Sequence, residues 1–369
     1  MVQGWLALQL TNSSLWVGIT NGAPALLAIP LSLISGIITD RSDPRRILST
    51  VRFLLALLAF FTGFLTTTNL ITIWHVISLA MLAGGINAFG LPASQTLVFD
   101  IVGRDRLLRA LALNNAGNAA GNFLGPSLAG VMIASLGIDS VFYVLSIGYL
   151  IAFVTAILIP PDAAPRTVVN TPLIRGIGDG LRYTRNNRHV GWILFLAFIA
   201  IFGSAFLSLV PAYARDILQA GPVGFGMIMG AQGIGNLIST TLVVWKGDIQ
   251  NKAAAVALAA MVWGIGMLIF AFSRSLVLSI FCAGFMGMAG PVWMSCLHTL
   301  LQTTVPPDMR GRILSLFTLT FQTVPLGFLL GGFLAENFGE QTALVWSSLL
   351  WMSSNILVYI FARELRTID

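Results

Sequence analysis

Charged residues are scarce in this sequence. Asp, Glu, Lys and Arg make up 9% of the 369 residues, whereas hydrophobic residues make up 56%; an average soluble domain is about 25% charged. Such an inventory cannot cover a water-exposed surface. A helix needs about 20 apolar residues to cross the hydrocarbon core of a bilayer, and uncharged runs of that length recur along nearly the whole chain. The composition therefore predicts an all-α integral membrane protein.

Cysteine and histidine are also rare. The two cysteines, Cys282 and Cys296, lie on one apolar segment, about 21 Å apart in a helix that rises 1.5 Å per residue, so they cannot form a disulfide with each other. The three histidines, His75, His189 and His298, fall on three different segments. Because no cluster of ligands surrounds them, we expect no metal site and no cofactor.

Ionisable residues are missing from the middle of every apolar run. A membrane-embedded enzyme would need clustered acid and base groups there, so we expect that the protein is not an enzyme. A proton relay within the membrane would also need such groups; the candidates are His298, Asp100 and the neighbouring Arg215 and Asp216. The G-x-x-x-x-G-K-[ST] loop that binds nucleotide phosphates is absent, and we expect no nucleic-acid partner.

The apolar runs predict eleven complete membrane spans. They cover residues 14–39, 47–68, 72–99, 107–136, 140–159, 189–213, 223–245, 253–272, 276–303, 311–337 and 342–361. Alternating the connecting segments between two faces places all 20 lysines and arginines except Arg215 and Arg274 on one face. Positive charge accumulates on the cytoplasmic side of membrane proteins. We therefore expect a multi-pass protein of a bacterial-type cytoplasmic membrane, with a cytoplasmic C-terminus.

The longest hydrophilic stretch divides the chain into two transmembrane bundles. Residues 1–159 form the first bundle, whose first helix is partial, and residues 189–369 form the second. Residues 160–188 are a cytoplasmic linker that is rich in proline at its start. Apolar positions alternating with Arg175, Arg182 and Arg185 at its end predict a short amphipathic helix at the membrane interface.

The two bundles carry a similar pattern of glycines. In each, a short charged turn opens an apolar helix, and the glycines of that helix align after a shift of one residue: Gly125, Gly130 and Gly137 correspond to Gly327, Gly332 and Gly339. Two parallel copies of six helices, related by an axis along the membrane normal, form a rocker-switch transporter with its binding site between them.

A charged loop joins the first two complete spans. Gly36 lacks a side chain, so another helix can approach it, and Asp40 lies one turn later on the same helix face. Arg41, Arg45 and Arg46 follow at the membrane surface. Ordinary topology signalling by the arginines is the alternative interpretation of this loop.

This loop resembles the signature of the major facilitator superfamily. The segments beginning Leu91-Pro92-Ala93, Val210-Pro211 and Gly230-Ala-Gln232 are similar to those of its drug- and siderophore-exporting branch, the enterobactin exporter group. The resemblance covers essentially the whole chain. It implies the major facilitator fold, with twelve helices in two six-helix bundles, and transport by alternating access.

The resemblance also implies roles for particular residues. In such families the residue matching Asp40 joins an arginine of the loop, here Arg45 or Arg46, and an acid at the end of the fourth helix, here Asp100. These charges attract one another only while the cytoplasmic ends of the bundles are close, so the network would favour the outward-open state.

Glycines recur along the helix after Asp100 in a pattern similar to the antiporter motif of exporters. Four-residue spacing of Gly117, Gly121 and Gly125 makes a smooth stripe for close helix contact, and Pro126, which removes a backbone donor, can bend the helix. Gly130 completes the pattern. Ala112 and Ala129 stand where the motif carries glycine, and general small-residue packing is the alternative.

Candidate cavity residues are polar, aromatic or methionine side chains on helices expected near the axis. Asn115, Asn118 and Asn122 share one helix face that should look at a cavity or at another helix, where bonding between helices is the alternative to contact with substrate. The other candidates are Trp5, Gln9, Asn87, Phe202, Phe206, Met286, Trp293 and Met294.

These features predict an efflux permease for small amphipathic molecules of drug or siderophore type. It would work as a monomer by secondary active transport, with a proton as a candidate coupling ion. The alternatives are an importer of a small metabolite, or a truncated inactive transporter or non-transporting membrane sensor.

The loop interpretation can be tested by Asp40→Asn. If Asp40 belongs to a charge network, this variant should transport more slowly than the parent while inserting into the membrane normally, because only the charge is removed. Equal transport in vesicles matched for protein content would contradict the network.

The first helix gives a second expectation. Met1 to Leu10 cover about 15 Å as a helix, half of a crossing, which would leave backbone donors unsatisfied in hydrocarbon. We expect the genuine reading frame to begin about 15–25 residues upstream. The DNA 5′ of the Met1 codon would show it, and an in-frame stop codon directly upstream would contradict it.

Overall fold

The computed structural model describes residues 2–160, 173–247 and 249–362, and all regular structure in these ranges is helical. The helices are α1 (Val2–Thr11), α2 (Ser14–Arg41), α3 (Pro44–Thr67), α4 (Ile73–Asn87), α5 (Gly90–Leu136), α6 (Ile138–Leu158), α7 (Leu173–Asn186), α8 (Arg188–Ala212), α9 (Gly221–Lys246), α10 (Lys252–Phe272), α11 (Leu276–Thr304), α12 (Pro307–Phe321), α13 (Val324–Phe338) and α14 (Glu340–Phe361). A π-helical turn, Tyr213–Ile217, extends α8.

Helix starts follow from local chemistry. Asp43 caps α3 by accepting a hydrogen bond from the Arg45 amide at 2.9 Å, and Pro44 occupies the first helical position, where no donor is lost. Asn187 and Asn251 cap α8 and α10 through their side-chain oxygens. The caps lie at the charged ends of apolar runs and so fix where each span begins.

The predicted spans agree with the structure. In the described ranges, ten helices are long and apolar enough to cross a membrane, and Leu124–Leu136 is a shorter apolar helix that covers part of the predicted span 107–136. Two spans are interrupted. A break at Ala88–Phe89 separates α4 from α5, and Gln322–Thr323 separate α12 from α13.

The charged turn predicted after residue 101 is a sharp change of direction within α5. Gly103 has φ 65° and ψ −176° there, which is not helical. Glycine adopts such a positive φ at little cost. The predicted spans 72–99 and 107–136 therefore meet at Gly103, without a longer loop between them.

Helices α1–α6, which we call the N-terminal half, and α8–α14, the C-terminal half, repeat the same packing. Helix α2 packs on α4 as α9 packs on α11. Gly137 and Gly339 end α5 and α13 in nearly the same conformation, with φ of 89° and 84°. The halves meet along two pairs of helices, α5 with α9 and α2 with α13. The internal repeat relates one pair to the other, because α5 corresponds to α13 and α2 corresponds to α9.

The amphipathic helix predicted in the linker is present as α7. It packs on α12, where Gly180 lies against Leu316, and Leu181 is exposed. Residues 161–172 lie outside the described ranges. Helix α7 therefore contacts the C-terminal half directly.

Candidate functional site

Among the described residues, the closest backbone contacts between the halves lie toward the end of the molecule that carries Arg215 and Arg274. We call this the arginine-poor end and the opposite one the arginine-rich end. Gly130 of α5 crosses Gly226 of α9 there. A methyl group added at Gly130 would lie 2.5 Å from the Pro222 carbonyl oxygen and 2.9 Å from Gly226 Cα. Glycine at both positions allows the two backbones to meet.

A second glycine crossing, between α2 and α13, lies at the same end. A methyl group added at Gly332 would lie 2.7 Å from the Ser14 carbonyl oxygen and 3.1 Å from Gly18 Cα, and one added at Gly18 would collide with the Phe328 carbonyl oxygen. Contact continues along these helices to Gln322 Nε2, 3.5 Å from Ser32 Oγ. The sequence repeat thus brings Gly130 and Gly332 to equivalent crossings.

Gly36 and the glycines of the stripe differ from Gly130. No atom of the described residues lies within 4 Å of a methyl group built at Gly36, Gly117, Gly121 or Gly125, and the last three are exposed. Close approach to another helix therefore occurs at Gly130 in this conformation, and for the other four glycines it stays a prediction.

Gly125 and its counterpart in the C-terminal half have different surroundings. The equivalent Gly327 packs against the Ile201 carbonyl of α8. Among the described residues, Gly125 instead faces a cavity.

That cavity, which we call the α5 cavity, has a volume of about 480 Å³. It lies among α1, α3, α4, α5 and α6, and Gly125 and Pro126 form part of its wall. The lining is mostly apolar, with polar groups from Gln3, Thr62 and Tyr149. Its volume is within the range of about 300–1,000 Å³ that is typical of small-molecule sites.

A second cavity of about 410 Å³ lies toward the arginine-rich end, between α2, α3 and α4. Arg46 of the charged loop is part of its lining, and the other lining residues are mostly apolar. Both sequence motifs therefore border cavities of the N-terminal half.

Both arginines of the predicted charge network have other contacts in this conformation. Arg45 Nη2 donates a hydrogen bond of 2.7 Å to the Ile157 carbonyl at the end of α6. Arg46 Nε lies 3.7 Å from Asp43 Oδ2, in a pair at the protein surface, where such pairs add little stability. The side chains of Asp40, Arg41 and Asp100 lie outside the described part of the chain, so the network stays a prediction.

Three of the candidate cavity residues are buried in the core, so they do not line accessible space in this conformation. Phe206 is fully buried and packs edge-to-face on Phe270, with 5.0 Å between ring centroids. Met286 is also fully buried, and Trp5 stacks on Phe225 at 5.5 Å. Aromatic and methionine side chains at helical spacing pack cores as readily as cavities.

The other candidates are spread over the molecule. Trp293 is buried and donates a hydrogen bond of 3.3 Å to Asn355 Oδ1 within the C-terminal half. Phe202 is half-buried, and Gln9, Asn87 and Met294 are exposed. The side chains of Asn115, Asn118 and Asn122 lie outside the described residues.

Glu336 and Glu340 were not predicted as functional residues from the sequence. Both are contributed by the C-terminal half at the arginine-poor end, and both accept hydrogen bonds from the start of α2. Their only signal in the sequence was an acid at each side of Gly339, between two apolar spans. Such residues are usually interpreted as solvated turn positions.

The fold is the major facilitator fold. A bacterial homologue of the human lysosomal transporter Spinster, in an inward-facing and occupied conformation, superimposes with a TM-score of 0.76 at 13% identity, over 99% of this chain and 94% of that one. The nucleoside transporter NupG also gives a TM-score of 0.76, at 11% identity over 98% of this chain and 94% of its own.

The family model of transmembrane secretion effectors, within the major facilitator superfamily, matches residues 1–369, and the chain belongs to this family. Among curated relatives, the multidrug efflux pump Tap of Mycolicibacterium fortuitum is 27% identical, over 99% of this chain and 91% of its own length. The staphyloferrin A transporter of Staphylococcus aureus is 23% identical, over 98% and 91%. These matches confirm the family resemblance read from the motifs, and the protein is a transporter and not an enzyme.

Gly130, which lies at a helix crossing, and Gly125, which lines the α5 cavity, should respond differently to a large side chain. Gly130→Leu should abolish closure of the arginine-poor end and reduce transport at least tenfold, because a side chain there meets backbone atoms and overpacking typically costs about 1–3 kcal/mol. Gly125→Leu should be folded, because its side chain enters the α5 cavity. The measurements are monodispersity and transport by both variants at equal expression; wild-type transport by Gly130→Leu would contradict the importance of the crossing.

Proposed function

We propose that the protein is an efflux permease that carries small amphipathic molecules across the cytoplasmic membrane by alternating access. The observation that supports this most directly is the asymmetry between its two ends. The halves meet through backbone contacts at the arginine-poor end, while Gly36, Gly117 and Gly121 face open space among the described residues. Rocking about the α5–α9 and α2–α13 pairs would exchange the closed and open ends.

The α5 cavity suits an amphipathic substrate. Its walls are mostly apolar, and the polar groups of Gln3, Thr62 and Tyr149 are few and separate. Such a surface holds an apolar body by burial and orients it with a small number of hydrogen bonds. Thr62 is itself bonded to the Leu58 carbonyl at 2.7 Å, which leaves Gln3 and Tyr149 as the better polar contacts for a ligand.

The proposed direction of transport rests on the orientation of the protein in the membrane and on its relatives. If the arginine-rich face is cytoplasmic, as the positive-inside rule predicts, the open end faces the cytoplasm and can load substrate from there. The efflux pump and siderophore transporter among the relatives favour export of drug- or siderophore-like molecules. Uptake of a small metabolite is the competing function, and a proton is the candidate coupling ion.

Transport in everted membrane vesicles tests this proposal. Vesicles that contain the protein should accumulate a lipophilic fluorescent cation or an iron-free siderophore when respiration energises them, and an uncoupler should abolish the accumulation. Vesicles with the Gly130→Leu variant serve as the matched control. Accumulation of these compounds in right-side-out vesicles instead would favour import, and no energy-dependent movement in either orientation would contradict the proposal.

A further inference from the structure

The turn between α1 and α2 is held from the other half of the protein. Ser13 Oγ donates a hydrogen bond of 2.8 Å to Glu336 Oε2, and the Leu15 amide donates to the same oxygen at 3.3 Å. Ser14 Oγ, which is buried, donates to Glu340 Oε1 at 2.9 Å. Two carboxylates of the C-terminal half thus cap the first turn of a helix of the N-terminal half.

A cation holds the same turn from its other side. Arg215 Nη1 donates hydrogen bonds to the Leu8 carbonyl, near the end of α1, at 3.1 Å and to Asn12 Oδ1 at 2.8 Å. The π-helical turn Tyr213–Ile217 carries this arginine, and Asp216 binds its guanidinium through both oxygens, at 2.7 and 3.1 Å. Arg215 therefore links α8 to the end of α1.

The side-chain charges are opposite in sign to the partial charges at the helix ends that they contact. The last carbonyls of α1 carry partial negative charge and contact a cation, whereas the first amides of α2 carry partial positive charge and contact a carboxylate. A reversed arrangement would be repulsive at both places. The match indicates that these contacts favour the bound geometry and are more than accidental contacts between surface residues.

These bonds depend on the contact between the halves. Glu336 and Glu340 reach α2 because α13 crosses it at Gly18 and Gly332. Protein hydrogen bonds have donor–acceptor distances of about 3 Å, so a separation of a few ångströms at this crossing breaks all of them. The acid beside the equivalent turn of the N-terminal half behaves differently, since Asp139 accepts from Thr67 of its own half at 3.0 Å.

We propose that Arg215, Glu336 and Glu340 form a clasp that closes around the turn from Asn12 to Leu15 and stabilises the conformation in which the arginine-poor end is shut. Release of the clasp is then a required step each time this end opens. The three residues position the halves and need not touch substrate. The clasp does not depend on which molecule is carried or in which direction.

Accessibility of a buried position beneath the clasp measures its strength. Val17 is fully buried and packs with Leu8 of α1 and Ala212 of α8, so a thiol introduced by Val17→Cys should react with maleimide only while this end is open. The purified full chain in detergent, with Cys282→Ser and Cys296→Ser as background, exposes both ends to the reagent.

Removing both acids, by Glu336→Ala and Glu340→Ala, should raise the labelling rate at position 17 about tenfold, which corresponds to about 1.4 kcal/mol. Asp139→Ala, the matched control, removes an acid at the same end whose bond lies within one half, and should change the rate less than twofold. An unchanged rate without the two glutamates, or an equal rise in the control, would overturn the clasp.

The pairing itself can be tested separately. Ser13→Ala and Glu336→Ala should each speed labelling, and their combination should have less effect than the two changes added together, because both remove the same hydrogen bond, while Ser13→Ala also removes the cap on the Trp16 amide. Additive effects would mean that the two residues act independently and would refute the pairing. Ser14→Ala, which removes one hydroxyl group, keeps the test informative if the glutamate variants do not fold; a rate equal to that of the parent would then count against the clasp.

Discussion

Backbone contact between the halves at two glycine pairs is the constraint on which the rest of the arrangement depends. Gly130 meets Gly226, and Gly18 meets Gly332, at distances that leave no room for a Cβ atom. Lipid gives no hydrophobic driving force between helices, so close van der Waals contact must supply it. Because both pairs lie at one end, they close that end and leave the halves free to diverge toward the other.

The two halves use equivalent glycines for different purposes. Gly327 packs on α8, whereas Gly125 lines the α5 cavity. A repeat in sequence therefore does not produce a repeat in packing. The difference places open space in the N-terminal half and a dense aromatic core, around Phe206 and Trp293, in the C-terminal half.

Features that depend on composition and spacing could be predicted from the sequence. The spans follow from the length of the apolar runs, because lipid requires helices of fixed length. The repeat follows from the spacing of the glycines, and the family follows from the motifs. The sequence was insufficient where a residue's role depends on its partner. Phe206 and Met286 have the composition of cavity residues but are core residues, and nothing local distinguishes the cross-half acids Glu336 and Glu340 from Asp139, which bonds within its own half.

The two conformations of a transporter must differ little in free energy, since a state disfavoured by several kcal/mol would hardly be visited. Hydrogen bonds to charged groups contribute about 1.5–3 kcal/mol each when well formed. Three such groups on the Asn12–Leu15 turn, together with the two glycine crossings, would leave the closed arginine-poor end too stable if nothing opposed them. A charge network at the arginine-rich end, built from Asp40 and the loop arginines, would favour the opposite state. With such a network, the charges at the two ends would oppose one another, and the balance between them would allow the halves to alternate.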